Sequence, residues 1–204
     1  MRIKYTLLTI FICFNFAIIR GQNVKGGFLA GLNATQVAGD VASGYNKAGI
    51  VFGIFANTDV SENAEFQMEM MYIQKGSRMN PSEENAYDSY LLRVNYIDLP
   101  FLYRYHFSDQ ILFEVGLAYG YLIHHYEEAD LSTSVSATSF NNHALNVLAG
   151  LEYRFSDDFS FNFRSSNSII PVRGHSSGVK RLFNSGQYND VLSFTLRYQF
   201  SNDK

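Results

Sequence analysis

The sequence predicts an all-β fold: an eight-stranded antiparallel transmembrane β-barrel with short periplasmic turns and four long extracellular loops. Three observations carry that expectation. Apolar residues recur at every second position in eight separate segments, the period of strands with one greasy face. The connections between the segments alternate short and long. A brief apolar leader precedes them all.

In the leader, Arg2 and Lys4 form a positive start, Tyr5 to Ile19 is mostly apolar, and Gly21 supplies a small residue before Gln22. That is the layout of a secretory signal, so residues 1–21 read as signal peptide and 22–204 as the barrel. The stretch is too short and too polar, with Thr6, Thr9 and Asn15 inside it, for a spanning helix. Ile12 stands before Cys13 where lipoprotein processing wants a small residue. Cleavage would remove Cys13, the one cysteine, together with Arg2, Lys4 and Arg20. What remains is free of cysteine and more acidic than the net charge of −3 carried by the 204 residues. Such a chain has no disulfide scaffold, no cysteine zinc site and no basic footprint for nucleic acid. Hydrophobic residues make up 47%, which excludes disorder.

The strands follow in order, each named by its apolar face. The first carries Phe28, Ala30, Leu32 and Ala34, the second Ile50, Phe52, Ile54 and Ala56, and the third Phe66, Met68, Met70 and Tyr72. The fourth carries Ile97, Leu99, Phe101, Tyr103 and Tyr105, and the fifth Phe113, Val115, Leu117, Tyr119 and Tyr121. Leu145, Val147, Ala149, Leu151 and Tyr153 make the sixth, Phe159, Phe161 and Phe163 the seventh, and Leu192, Phe194, Leu196, Tyr198 and Phe200 the last. No charge falls on this face. Short turns are expected at Asn57–Asn63, His106–Gln110 and Ser156–Asp158, and long loops at Gln36–Lys47, Ser77–Leu92, His124–Asn142 and Ser168–Gln187. Sorting loops by length between two rims is the plan of an outer-membrane barrel, with both mature termini in the periplasm and aromatic girdles at both edges of the lipid band.

The opposite face is small, polar and charged, and in a barrel it points into the lumen. Glu69, Asp98, Glu114 and Glu152 balance Arg104, Arg154, Arg164 and Arg197. Pairing Leu102 with Glu114 would make Arg104 a diagonal neighbour of Glu114, and pairing Glu152 with Asn162 would do the same for Arg164 and Glu152. These two ion pairs, joined by Glu69 and Arg197, are the expected lumenal network. It serves either as a proton or ion pathway or as a packed plug, and an eight-stranded lumen, just wide enough for side chains to fill, favours the plug.

Phosphate-loop, nucleophile-elbow and zinc-protease motifs do not occur. His124-His125-Tyr126-Glu127-Glu128 is the densest ligand-like run, but adjacent residues of a strand face opposite ways. His125, His143 and His175 with loop serines and Glu127 or Glu128 are a conceivable hydrolytic set whose geometry nothing fixes. No catalytic, metal or cofactor site is assigned. Among the long loops, Arg78 to Tyr90 is acidic and Arg173 to Arg181 basic.

The run from Glu69 to Gly76 resembles the E-x-x-Y-x-x-K-G strand end of the PorT-like outer-membrane β-barrel family of bacteroidete bacteria. Tyr96-Ile97-Asp98-Leu99-Pro100-Phe101 is similar to that family's next strand, departing from it at the acidic Asp98. Gly116 to Tyr121 and Gly150 to Tyr153 match later strands. Phe194, Leu196, Tyr198 and Phe200 resemble the C-terminal signal read by the barrel-insertion machinery. The resemblance implies a non-catalytic accessory or structural subunit of a larger, secretion-related outer-membrane assembly. The rival is a stand-alone surface barrel for adhesion or lipid and lipopolysaccharide contact, and a lipid-modifying enzyme comes third. The partners expected are outer-membrane lipid, the insertion machinery and other outer-membrane proteins, and not nucleic acid.

Overall fold

The computed structural model describes residues 24–130, 138–174, 179–181 and 184–200. The expected signal peptide, His175 and the polar tail after Phe200 lie outside them. Ten strands follow in chain order: β1 (Val24–Ala38), β2 (Lys47–Ser61), β3 (Ala64–Met79), β4 (Ser89–His106), β5 (Ile111–Asp130), β6 (His143–Arg154), β7 (Phe159–Ser168), β8 (Val179–Arg181), β9 (Asn184–Gly186) and β10 (Tyr188–Gln199). Eight of them close a barrel in the order β1-β10-β7-β6-β5-β4-β3-β2, all neighbours antiparallel, and β8-β9 is a small hairpin in the last loop. The ring closes along a continuous β1–β10 ladder from Gly27 opposite Gln199 to Ala38 opposite Tyr188.

The burial pattern is that of a membrane barrel. Leu32, on the outer face, is 62% exposed, whereas Arg104, on the inner face, is 1% exposed. Alternation along each strand puts Phe28, Phe52, Met68, Phe101, Val115, Val147, Phe161 and Leu196 outside, with no charge among them. Apolar wall outside and paired ions inside is stable only when hydrocarbon replaces water around the ring.

Two features differ from expectation. Strands β3, β4 and β5 run on through stretches read as loop, to Met79, from Ser89 and to Asp130. Their upper ends have no lipid to face, so the apolar residues there point inward: Ile73, Leu92, Val94, Tyr96 and Leu122 are buried in the upper lumen with Val37, Val172 and Val191. The lumen thus holds an ion cluster in its lower half, whereas its upper half packs apolar side chains around separate buried polar groups such as the Lys75–Asp98 pair. Second, the β4–β5 register shifts between Asn95 and Tyr96, where Tyr96 faces Leu122 but Asn95 faces His124. This bulge leaves Ile123 over and reverses the parity of β5 above it. His124, Tyr126 and Glu128 consequently join the outer face, opposite Asn95, Arg93 and Leu91.

A third irregularity lies mid-wall. The β3–β4 pairing is continuous in count but lapses opposite Pro100 and Leu99, between Met68–Phe101 and Met71–Asp98. Pro100 has no N–H to give β3, which is why prolines are rare inside sheets.

Candidate functional site

The lower lumen holds a buried cluster of four glutamates and four arginines contributed by six strands. Glu69 on β3 is its centre. Its carboxylate accepts two bonds from Arg164 on β7, at 2.7 and 2.9 Å, one from Arg197 on β10 at 2.6 Å, and one from the Gln67 amide at 2.5 Å. Glu114 on β5 accepts from Arg164 Nε at 2.6 Å, with Arg104 Nε 3.7 Å and Arg197 3.9 Å away. Glu152 on β6 pairs with Arg197 at 3.0 Å and with Arg104, and Arg104 also holds Glu65 on β3. Arg154 sits at the short-turn mouth, 3.5 Å from Glu65 and 3.9 Å from Glu152. Arg104, Arg164, Arg197 and all four carboxylates are nearly inaccessible. Glycines make room for them. A Cβ on Gly150 would fall 2.5 Å from Glu114 Oε1.

The expected pairings change in detail. Glu152 does face Asn162, but Arg164 reaches past Glu152 to Glu69 and Glu114. The β4–β5 turn pairs Leu102 with Gly116, so Arg104 faces Glu114 directly rather than diagonally. Asp98 is not in the cluster. It sits higher and takes the ammonium of Lys75 at 2.6 Å, with both side chains buried and the lysine 4.8 Å from the Tyr96 ring centre. Glu65 takes its place among the carboxylates. Its inward parity with Gln67 and Glu69 is readable, but it falls between the expected turn, which ends at Asn63, and the expected strand, which begins at Phe66.

Among the described residues, loops also cover the long-loop mouth. Arg173, read as a solvated loop cation, is 4% exposed and forks onto Glu127 at 2.9 and 2.5 Å while lying 3.8 Å over the Phe140 ring. The Tyr90 hydroxyl donates to the same carboxylate at 2.7 Å. Backbone bonds of 2.8 Å tie Asn141 to Val172, Val172 to Gln187 and Gln187 to Arg173, so three loop segments cross the opening as a strip of sheet. Beside it, burial raises the Asp40 carboxyl from its usual 3.8 to about 6, although the Ala42 N–H donates to it at 2.9 Å. A side chain anchored by a folded loop leaves no trace in local sequence, so nothing could have marked Arg173.

The histidines do not converge. His143 is on the outer face with its Nδ1 2.5 Å from the Tyr119 hydroxyl, and His125 is inward at the mouth, 5.5 Å from the Phe140 ring. His124 and His125 take opposite faces as expected of neighbours on a strand. Among the described residues no group of three or more His, Cys, Asp or Glu is placed to hold a metal. Phe194, Leu196 and Tyr198 line the outer face of β10, and the Phe200 N–H closes onto Gly26 O at 2.8 Å with its ring 5.1 Å from Phe28.

A closed eight-stranded ring with a lipid-compatible wall and a charged interior matches a family model described as outer membrane protein beta-barrel domain over residues 20–173. The chain belongs to that family. It is accordingly a barrel of the bacterial outer membrane. No curated protein matches this outer-membrane barrel. Among solved structures it is similar to Neisserial surface protein A at 15% identity and a TM-score of 0.54, over 86% of this chain and 97% of that one. It is also similar to Ail, the attachment invasion locus protein of Yersinia pestis, in complex with the heparin analogue sucrose octasulfate. That match has 9% identity, a TM-score of 0.49 and coverage of 87% and 99%. OprG from Pseudomonas aeruginosa matches at 12% identity and 0.40, over 87% and 94%. At these identities the likeness is one of fold.

Proposed function

We propose that this outer-membrane barrel neither conducts nor catalyses, and that it works through its outward-facing upper wall as a stand-alone surface protein contacting lipid or another cell. In this reading the long loops are extracellular and both mature ends periplasmic. One observation carries it: β3–β5 continue well above the upper aromatic rows. From Leu122 to Asp130, at ~3.3 Å rise per residue and ~40° tilt, β5 adds about 20 Å of wall beyond Tyr121. A plugged lumen gives that wall no pore to serve, and its outer face presents Ile123 and Tyr126 to the surroundings. Two measurements test this. Planar-bilayer recordings should be silent, and a cysteine placed at Ser82 should react with a membrane-impermeant maleimide on intact cells. Steady unitary currents, or protection of that cysteine until cells are opened, would refute it.

A second reading, an accessory subunit of a larger and secretion-related assembly, is the one the PorT-like resemblance suggests. It is favoured by a hollow of about 470 Å³ in the lipid-facing wall, bounded by Phe28, Phe52, Ile54, Met70, Tyr72 and Ile97, which a neighbouring apolar surface could fill. Mild-detergent extraction with a tagged copy separates the two. A stoichiometric large complex supports the subunit reading, and a lone species near monomer mass supports the stand-alone one.

A further inference from the structure

On the outer wall, above the upper aromatic row, strands β2 and β3 separate. Their ladder ends at Val51 opposite Ile73, so Lys47–Ile50 and Gln74–Met79 run on without pairing to each other. The Thr35 hydroxyl spans the gap, 3.3 Å from Lys47 O and 2.8 Å from Gly76 O. Gly76 has φ +136, and a Cβ there would meet Leu92 O at 2.0 Å and the Lys47 stem at 3.1 Å. The glycine therefore lets Lys47 lie across the breach. The result is a cavity of about 330 Å³ lined by Lys47, Gln74, Arg78, Leu91, Arg93 and Asn95.

Three cations and two side-chain amides share this cavity with no carboxylate. Lys47 is 5% exposed, yet no acid pairs with it, and neither Arg78 nor Arg93 makes an ion pair among the described residues. Every other deeply buried cation described here has its carboxylate. Glu128, across from Leu91 on β5, is engaged by the Tyr126 hydroxyl at 2.9 Å. Concentrated unpaired positive charge persists where an anion completes it, and guanidinium forks with amide donors suit the oxygens of a phosphate.

Height identifies what carries that phosphate. Gln74 and Asn95 face each other one outward row above Tyr72 and Ile97, and Arg93 and Arg78 follow above them. At ~3.3 Å per residue and ~40° tilt, the cations lie roughly 5–15 Å beyond the last apolar row. This is the headgroup layer. We propose that the breach between β2 and β3 binds a phosphate on the headgroup of an outer-leaflet lipid, with Lys47 as the buried anchor and Arg78 and Arg93 as the outer clamp. The inference deepens the surface-contact reading and rests on its assignment of the long-loop end to the cell exterior.

The test uses the full chain, refolded in detergent and examined by native mass spectrometry with four probes added in turn: bis-phosphorylated lipid A, the same glycolipid without phosphates, phosphatidylglycerol and inorganic phosphate. Retention of one phosphorylated glycolipid is expected, weakened about tenfold by Arg93→Gln and abolished by the Lys47→Gln/Arg78→Gln/Arg93→Gln variant. Lys25→Gln, at the short-turn end, should retain it unchanged. Arg93 points outward, so Arg93→Gln keeps the test valid should the triple variant fail to fold. Equal retention of the phosphate-free glycolipid, retention of inorganic phosphate alone, or indifference to Arg93→Gln would overturn the proposal. The Ser82 labelling experiment separates the two assignments. Binding of phosphatidylglycerol in preference to lipid A, lost in the triple variant and accompanied by a protected Ser82 cysteine, would keep the phosphate site but overturn both the outer leaflet and the orientation.

Discussion

Replacing Glu69 by glutamine keeps the side chain's shape and deletes the charge on which the lower lumen is centred. Arg164 and Arg197 together donate three bonds to this carboxylate, at 2.6–2.9 Å, and neither arginine has access to water. The amide can accept some of those bonds but turns its own NH2 toward two guanidinium groups. Breaking a buried pair by neutralising one partner costs about 3–5 kcal/mol, a factor of roughly 10²–10³ or more in the folding equilibrium. With no tryptophan in the chain, urea unfolding in lipid vesicles is best followed by far-ultraviolet circular dichroism. At an m-value of ~2 kcal/mol/M, Glu69→Gln should lower the midpoint by about 2 M. Glu128→Gln is the control: that carboxylate is exposed and bonded to a neighbouring tyrosine, so its loss should cost under about 0.5 kcal/mol. Adding Arg164→Gln to Glu69→Gln should cost less than the sum of the single changes, because each leaves the other's partner stranded. A loss below about 1 kcal/mol for Glu69→Gln alone would refute the claim that these pairs hold the lumen together.

Gly150→Ala would push Glu114 off Arg164, since the new methyl falls 2.5 Å from the carboxylate and 2.8 Å from Phe163 O; the same unfolding assay should show a loss of about 1–3 kcal/mol. Burial holds the folded Asp40 carboxyl at about 6, against its usual 3.8. The folded state therefore binds its proton more tightly, and the stability contributed by Asp40 is fully present below about pH 4 and is lost as pH rises through about 6. Asp40→Asn should abolish that fall, worth about 1–2 kcal/mol given partial solvation, in melts run from pH 4 to pH 7. Arg173→Gln strips Glu127 of its fork, so the Asn141 and Val172 amides should exchange with deuterium at least tenfold faster while lower-lumen amides stay protected. Pro100→Ala restores a donor facing β3 where pairing lapses and should raise the urea midpoint, by an amount equivalent to about 1 kcal/mol.

The lipid face was legible because hydrocarbon tolerates no exceptions: one charge among Phe28, Phe52, Met68 or Val115 would have broken the pattern. Strand number and pairing order followed from it. The inner face obeys no such rule, since an interior accepts both ion pairs and apolar packing. That is why Leu92 passed for the end of a loop, and why Lys75 was read as part of a strand-end motif and not as a lumenal ion. Ion-pair partners depended on the β4–β5 register, and a shift of two residues turned Arg104 from a diagonal into a direct neighbour of Glu114. The reversal of face after Ile123 had no cue at all. A bulge adds one residue without changing composition, and the histidines around it look the same on either face. Arg78, Arg93 and Lys47 were visible as residues but not as a group, because they meet only where two strands part.

The lower charge cluster also constrains how the ring can be built. Glu69 is on β3, while its arginines are on β7 and β10, and Arg104 on β4 spans from Glu65 on β3 to Glu152 on β6. Neighbouring strands neutralise only part of the cluster: β3 and β4 join Glu65 to Arg104 but leave Glu69 to arginines across the ring, and β6 and β7 place Glu152 beside Arg164, yet the two bind elsewhere. A partly inserted sheet would thus carry bare glutamates or bare arginines into hydrocarbon, at several kcal/mol each. Neutralisation is complete only once Arg197, on the final strand, arrives at Glu69. Assembly is therefore cooperative by construction. Half-barrels are penalised, and a chain lacking β10 should fail to insert stably rather than settle as a seven-stranded remnant.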